Sequence, residues 1–225
     1  TTAAAAFPVS ITNAGATVTI AAKPAKIISL SPTHTETLFA IGAGPQVIAV
    51  DDQSNYPTNV PKTDLSGFKP NIEAIAAKKP DLVIVSDDLN NVVAGLRALS
   101  IPVLLEPSAK TFDDAYAEIT EIGKATGNAS GATKTVTDMK ARMDAAAKSA
   151  PKPAKALKVF HELDPTLYSA TSSTFIGAIY KLAGLENIAD AAPNSASGYP
   201  QLSAEYLVKA NPDIIALADV KCCAQ

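Results

Sequence analysis

Residues 71–87 read NIEAIAAKKPDLVIVSD and residues 203–219 read SAEYLVKANPDIIALAD. One structural unit is written twice in a single chain, and this limits the fold more than any other feature. Laid over each other, Glu73 meets Glu205, Pro80 meets Pro212, Asp81 meets Asp213 and Asp87 meets Asp219. Each copy opens on a good helix cap, Asn71 or Ser203. Its glutamate falls in the first turn, where the helix dipole favours a carboxylate. The proline ends the helix and pushes the residue before it out of the α region. The apolar runs at 82–85 and 214–217 then read as short strands of a parallel sheet covered on both faces.

A second echo keeps the same order. LFAIGAGPQVIA at 38–49 resembles IYKLAGLENIA at 179–189, with Ala43-Gly44 on Ala183-Gly184 and Ile48-Ala49 on Ile188-Ala189. The period is far too long for a solenoid. Strands expected at 27–30, 47–50, 82–85 and 103–105 alternate with helices, the mark of a parallel α/β sheet. The expected fold is α/β: two Rossmann-like parallel-sheet lobes joined by one long α-helix, with a ligand cleft between them. Clefts of this kind are common ligand sites.

The boundaries expected are a tether and hairpin at 1–24, an N-terminal lobe at 25–129, a linking helix at 130–150 and a C-terminal lobe at 157–225. In the linking helix Val136, Met139, Met143 and Ala147 recur at three- and four-residue spacing, a narrow apolar stripe. At 1.5 Å per residue such a helix spans roughly 30 Å. The second lobe stops one strand and one helix short of the first, so the native chain is expected to continue past Gln225. The opening TTAAAAFPVS has the small, uncharged residues of a tether and reads as a trimmed N-terminus.

Composition narrows the function. The net charge is −3 and only two arginines occur, Arg97 and Arg142. Nucleic acid demands a basic patch, so it is not an expected partner. No apolar run is long enough to span a bilayer. Cys222 and Cys223 are adjacent, with Cα atoms about 3.8 Å apart, closer than ordinary disulfide geometry prefers. They make no zinc site without further ligands. No nucleophile–base pair, G-x-S-x-G, Walker loop or HExxH is present, so no catalytic residue, cofactor or bound metal is expected.

In parallel sheets ligands lie beyond the carboxyl ends of the strands. Those ends are 31–34, 51–53, 86–88, 162–164 and 218–219. The candidate ligand-binding residues are therefore Pro32, Thr33, His34, Gln53, Ser86, Asp87 and Glu162. Three aromatic residues at loop positions join them: Tyr56 in SNYP, Phe68 after Gly67, and Tyr199 in GYP. Pro32, Thr33 and His34 combine a strand end with a helix N-terminus, whose free N–H groups attract an anion or carbonyl. His34 has the donor to ligate haem iron, although a loop histidine more commonly only hydrogen-bonds. His161 lies inside an apolar strand and reads as a core residue.

Taken together, IISLSPTHTETLFAIGAG, SNYP, NIEAIAAKKPDLVIVS and GYPQLSAEYLVKANPDIIAL resemble the cobalamin, haem and iron-siderophore binding proteins of bacterial ABC importers. The resemblance covers nearly all of residues 25–219. It implies capture of a metal chelate outside the membrane and delivery to a permease dimer with its ATPase subunits. It further implies a monomer, extracytoplasmic and held by a lipid anchor outside this sequence. In that family one surface glutamate on each lobe docks into the permease, and the matching residues here are Glu73 and Glu205. The cobalamin-binding members line their cleft with tryptophans. This chain has none, and shows Gln53, Gly67 and Ser86 at the matching positions. The competing functions are a chelatase-like two-lobed enzyme using His34 with a carboxylate, and a direct zinc or manganese receptor, which needs more histidines than two.

Overall fold

The computed structural model describes residues 7–13, 15–150 and 153–219. Cys222, Cys223 and the TTAAAA start lie outside the described residues. The chain divides into two compact units, residues 1–108 with 116–140, and residues 109–115 with 141–225.

The first unit opens with an antiparallel hairpin, β1 (Val9–Asn13) and β2 (Ala16–Ile20). A strand–helix series follows: β3 (Ile27–Ser29), α1 (Pro32–Ala40), β4 (Val47–Val50), α2 (Ile72–Ala77), β5 (Leu82–Val85), α3 (Val92–Ala98) and β6 (Val103–Leu105). These strands form a parallel sheet in the order β4-β3-β5-β6. The two-residue period of β5 explains its composition. Leu82 and Ile84 enter one apolar core with Ile27, Leu38 and Ile122, while Val83 and Val85 enter another with Ile28, Ile75 and Leu96. A strand that must fill two cores has no polar position to spare.

Helix α4 (Phe112–Thr126) follows, then α5 (Ala129–Ser149), which begins in the first unit and ends in the second. No helix among the described residues is long and apolar enough to cross a membrane.

The second unit contains β7 (Lys158–Glu162), α6 (Phe175–Leu182), β8 (Glu186–Asn187), α7 (Ala204–Ala210) and β9 (Ile214–Leu217). Its parallel sheet runs β8-β7-β9, the same order as β4-β3-β5. The repeated Pro-Asp has the same work in both units. Asp81 Oδ2 accepts the backbone N–H groups of Ala25 and Lys26, each at 2.9 Å, just before β3. Asp213 Oδ2 accepts the N–H of Lys158 at 2.8 Å, where β7 begins. In each unit the aspartate ties the start of one strand to its neighbour through a charge-assisted bond.

Two expectations need correction. The second echo aligns Gly44 with Gly184, but the backbone pairs Gly42 with Gly184. Both take left-handed φ, +85° and +74°, and end a helix. Ala43 N–H then bonds Leu38 O, and Leu185 N–H bonds Tyr180 O, the closing bonds of the same cap. Strand β9 was expected to be covered on both faces. Instead its residues alternate, with Ile215 and Leu217 more than half exposed among the described residues.

Candidate functional site

A cavity of about 440 Å³ opens at the carboxyl ends of the first unit's strands, within the size range of ligand pockets. Leu30, Ser31 and Pro32 reach it from β3, Asp51 and Gln53 from β4, and Ser86, Asp87 and Leu89 from β5. Gly67 and Phe68 come from the long polar loop before α2, and Ser108 follows β6. Pro32, Gln53, Phe68, Ser86 and Asp87, all expected from strand ends and loops, thus lie along one cavity. Thr33 and Tyr56 are exposed but do not line it. Among the described residues no lysine, arginine or histidine lines it. Phe68 is 73 % exposed, an apolar side chain held in water at the rim.

Two buried polar features hold this end of the sheet. The first is a chain of hydroxyl groups. Ser54 Oγ lies 2.5 Å from Asp51 Oδ1 and 2.9 Å from Thr35 Oγ1. Thr35 donates to Ser29 Oγ at 2.9 Å, and Ser29 donates to the carbonyl of Ser31 at 3.2 Å. All these residues are buried. Burial pushes the Asp51 carboxyl up; the Ser54 contact opposes this and neighbouring Asp52 adds to it.

The second feature corrects the reading of His34. The residue was expected at the cleft, as a loop donor or haem ligand. The structure puts it inside α1, 1 % exposed, with Nε2 3.0 Å from Glu118 Oε1 of α4. The pair is close, but poorly aligned for a hydrogen bond. A histidine packed into the core against a helix cannot present its ring to a ligand.

Gly67 decides the shape of the cavity wall. A Cβ there would sit 2.5 Å from the backbone O of Leu30 and 3.2 Å from Asp51 Oδ2. Backbone cannot step aside as a flexible side chain does. Gly67→Ala is expected to destabilise the unit by about 1–3 kcal/mol, as overpacking does, and to shift Phe68 at the rim. Urea unfolding checks the first effect. Unchanged stability would mean that the loop has room the backbone does not show.

In the second unit Glu162 ends β7 and is partly buried, and Tyr199 is half exposed beside Gly198, whose φ is +82°. Asp164 closes a local turn, accepting from Thr166 N–H at 2.8 Å, and that bonding with the Thr166 hydroxyl draws its carboxyl down. His161 Nδ1 lies 2.6 Å from the Tyr180 hydroxyl, and burial pushes the imidazole toward its neutral form. Glu73 and Glu205 are exposed in the first turns of α2 and α7. The caps beneath them are equivalent, Asn71 Oδ1 accepting from Ala74 N–H and Ser203 Oγ from Tyr206 N–H.

The chain as a whole resembles known proteins. The family model described as "Periplasmic binding protein" matches residues 27–220. The chain belongs to the periplasmic binding protein family. A cobalamin-binding protein of Halobacterium salinarum is 34 % identical over 219 residues, covering 94 % of this chain and 59 % of that protein. An uncharacterised ABC transporter substrate-binding lipoprotein of Bacillus subtilis is 32 % identical, covering 95 % of this chain and 70 % of its own length. Among solved structures, a possible iron-binding periplasmic solute-binding protein of Staphylococcus epidermidis superposes with a TM-score of 0.77 at 28 % identity. That match covers 88 % of this chain and 78 % of the other. The chain therefore spans about three-fifths of the length of the Halobacterium relative.

As a member of the periplasmic binding protein family, the chain places its cavity where parallel α/β sheets place ligands. Asp51 is the residue that sequence reasoning passed over. It stood within a named strand end, and the signal was present, an acid directly after the apolar run of β4. Nothing local showed that it would be buried.

Proposed function

We propose that this protein is the solute-binding component of an ABC importer. It captures a metal chelate of the cobalamin, haem or iron-siderophore type outside the membrane and delivers it to the permease dimer with its ATPase subunits. The observation that carries this reading is the cavity at the strand ends of the first unit, in a chain of this family. The names of two relatives, a cobalamin-binding protein and a possible iron-binding protein, support a metal-containing ligand. Pro32, Gln53, Phe68, Ser86 and Asp87 would contact the ligand in the first unit, and Glu162 and Tyr199 are the second unit's own candidate ligand-binding residues. Helix α5 would join the two lobes, and Glu73 and Glu205 would dock to the permease. The protein would work as an extracytoplasmic monomer, held at the membrane by a lipid anchor outside this sequence.

The test is a thermal-shift screen with cyanocobalamin, haemin and a panel of ferric siderophores. A ligand at 100 times its dissociation constant stabilises its protein by about 2.7 kcal/mol. A shift with one class names the substrate. No shift from any class, with folded protein, overturns the reading.

A further inference from the structure

The hydroxyl chain behind the cavity poses a question of proton count. It has four contacts: Asp51 to Ser54, Ser54 to Thr35, Thr35 to Ser29, and Ser29 to the carbonyl of Ser31. Each contact needs one proton between its oxygens. Ser54, Thr35 and Ser29 bring one hydroxyl proton each, three in all, since a hydroxyl carries a single donor. An ionised Asp51 brings none. If Ser54 donates to Asp51 and Thr35 donates to Ser29, then Ser54 and Thr35 face each other with lone pairs only, 2.9 Å apart. Moving the gap along the chain leaves a different contact without a proton. Every member is at most 8 % exposed, so solvent does not readily fill the gap. A buried polar contact left unmade is costly.

A proton on Asp51 removes the gap. Asp51 then donates to Ser54, Ser54 to Thr35, Thr35 to Ser29 and Ser29 to the Ser31 carbonyl, all in one direction. Both ends of the relay, Asp51 and Ser31, line the cavity. We propose that Asp51 carries this proton in the folded protein and is the residue that sets the charge of the cavity. With the proton, Asp51 presents a neutral wall that accepts a ligand amide or hydroxyl and tolerates a carboxylate edge. Without it, Asp51 is an anion on the wall of a cavity that Asp87 also lines, and repels anionic chelates.

The surroundings agree. Asp52, next in the chain, is acidic, and so is Asp87 at the end of β5. Helix α1 brings Thr35 to the relay, while its His34 is turned to Glu118 and its Glu36 is exposed. Strand β3 brings Ser29, and the loop brings Gly67 and Phe68, none of them charged. Among the described residues no cation lines the cavity to hold Asp51 ionised. The upward push of burial on the Asp51 carboxyl acts in the same direction and outweighs the Ser54 contact and the backbone N–H groups of Asp51 and Gln53, which draw it down.

The proposal rests on the cavity being the ligand site, and its test has a ligand-free arm and a ligand arm. Infrared spectra of wild type, Asp51→Asn and Ser54→Ala are recorded across the pH range in which each stays folded. The expected result is a protonated-carboxyl band, absent from Asp51→Asn, that persists in wild type at a pH where an unfolded-chain aspartate is ionised. Ser54→Ala, which removes the first acceptor, should lose the band at lower pH than wild type. Spectra of wild type and Asp51→Asn that match throughout this region overturn the proposal.

In the ligand arm, haemin serves as a dicarboxylate probe and cyanocobalamin as a probe without carboxylates. Haemin affinity should fall roughly tenfold as Asp51 ionises, the scale of one carboxylate repelling another across a pocket. Asp51→Asn, with an amide donating to Ser54 at every pH, should not show that fall. A haemin profile identical in wild type and variant overturns the charge-setting role. A band in ligand-free wild type from a protein that binds neither probe supports the proton on Asp51 and counts against the cavity as a chelate site.

Discussion

Glu106→Gln will make the protein more stable above neutral pH and will flatten its stability between about pH 4.5 and pH 9. Glu106 follows β6 directly and is 2 % exposed. Its Oε2 accepts from Asn13 Nδ2 at the end of β1. Glu121 and Glu118 of α4 face it, and Glu118 in turn meets His34 of α1. Burial first, then the charges of Glu121 and Glu118, push the Glu106 carboxyl up to about 9 from an ordinary 4.5. Its folded-state value lies above its unfolded one, so the folded protein binds the extra proton throughout this window. Stability therefore falls as pH rises from the lower value to the higher, by several kcal/mol in total. Below the window both states are protonated and the residue contributes no pH dependence. Glutamine keeps the shape, has no proton to lose, and offers an N–H where the acid offers O–H. Urea unfolding at the bottom, middle and top of the window should show a gap between variant and wild type that widens with pH. Parallel stability curves would mean that Glu106 ionises in the fold without cost.

What was legible in the sequence follows from how local its causes are. Pro80-Asp81 and Pro212-Asp213 could be read because each acts within a few residues: the proline stops a helix and the strand begins after it. The repeat announced two units of one kind, and the match of β4-β3-β5 to β8-β7-β9 agrees with it, although the strand order itself was not read from the sequence. The lining of the cavity by Pro32, Gln53, Ser86 and Asp87 follows from strand ends, which apolar runs locate well. His34 could not be placed in this way. Its burial depends on Glu118, which α4 brings from a distant part of the chain, and no pattern around SPTHTE announces that partner. Glu106 is the same case, an acid after a strand whose neighbours come from β1 and α4. The openness of β9 was hidden for a different reason. An all-apolar run states that a strand can be covered on both faces, and only packing shows whether it is. Ile215 and Leu217 carry the composition of a central strand on a face that the described residues leave in water.

Replacing both Glu73 and Glu205 by alanine will abolish transport and leave ligand affinity unchanged, if the two residues dock the protein to its permease. The structure supports separating the two effects. Both side chains are exposed, and neither lines the cavity. The helix ends do not depend on them, because Asn71 and Ser203 already cap Ala74 N–H and Tyr206 N–H at 3.0 Å and 3.1 Å. Removing an acid from the first turn forfeits only about 0.3–1 kcal/mol of interaction with the helix dipole. The cost at an interface is larger. Truncating one partner of a hydrogen-bonded charge pair that docking desolvates costs roughly 2–5 kcal/mol, because the basic group opposite stays buried and unpaired. Two such losses together weaken docking by at least about a thousandfold. Each single variant should retain part of the transport, since the other glutamate still orients the protein. The measurement is ligand uptake into vesicles carrying the transporter, beside calorimetric ligand affinity for each variant. Uptake that survives the double substitution would show that the repeat conserves these acids for their helix ends alone. A fall in ligand affinity would instead place them in the binding site.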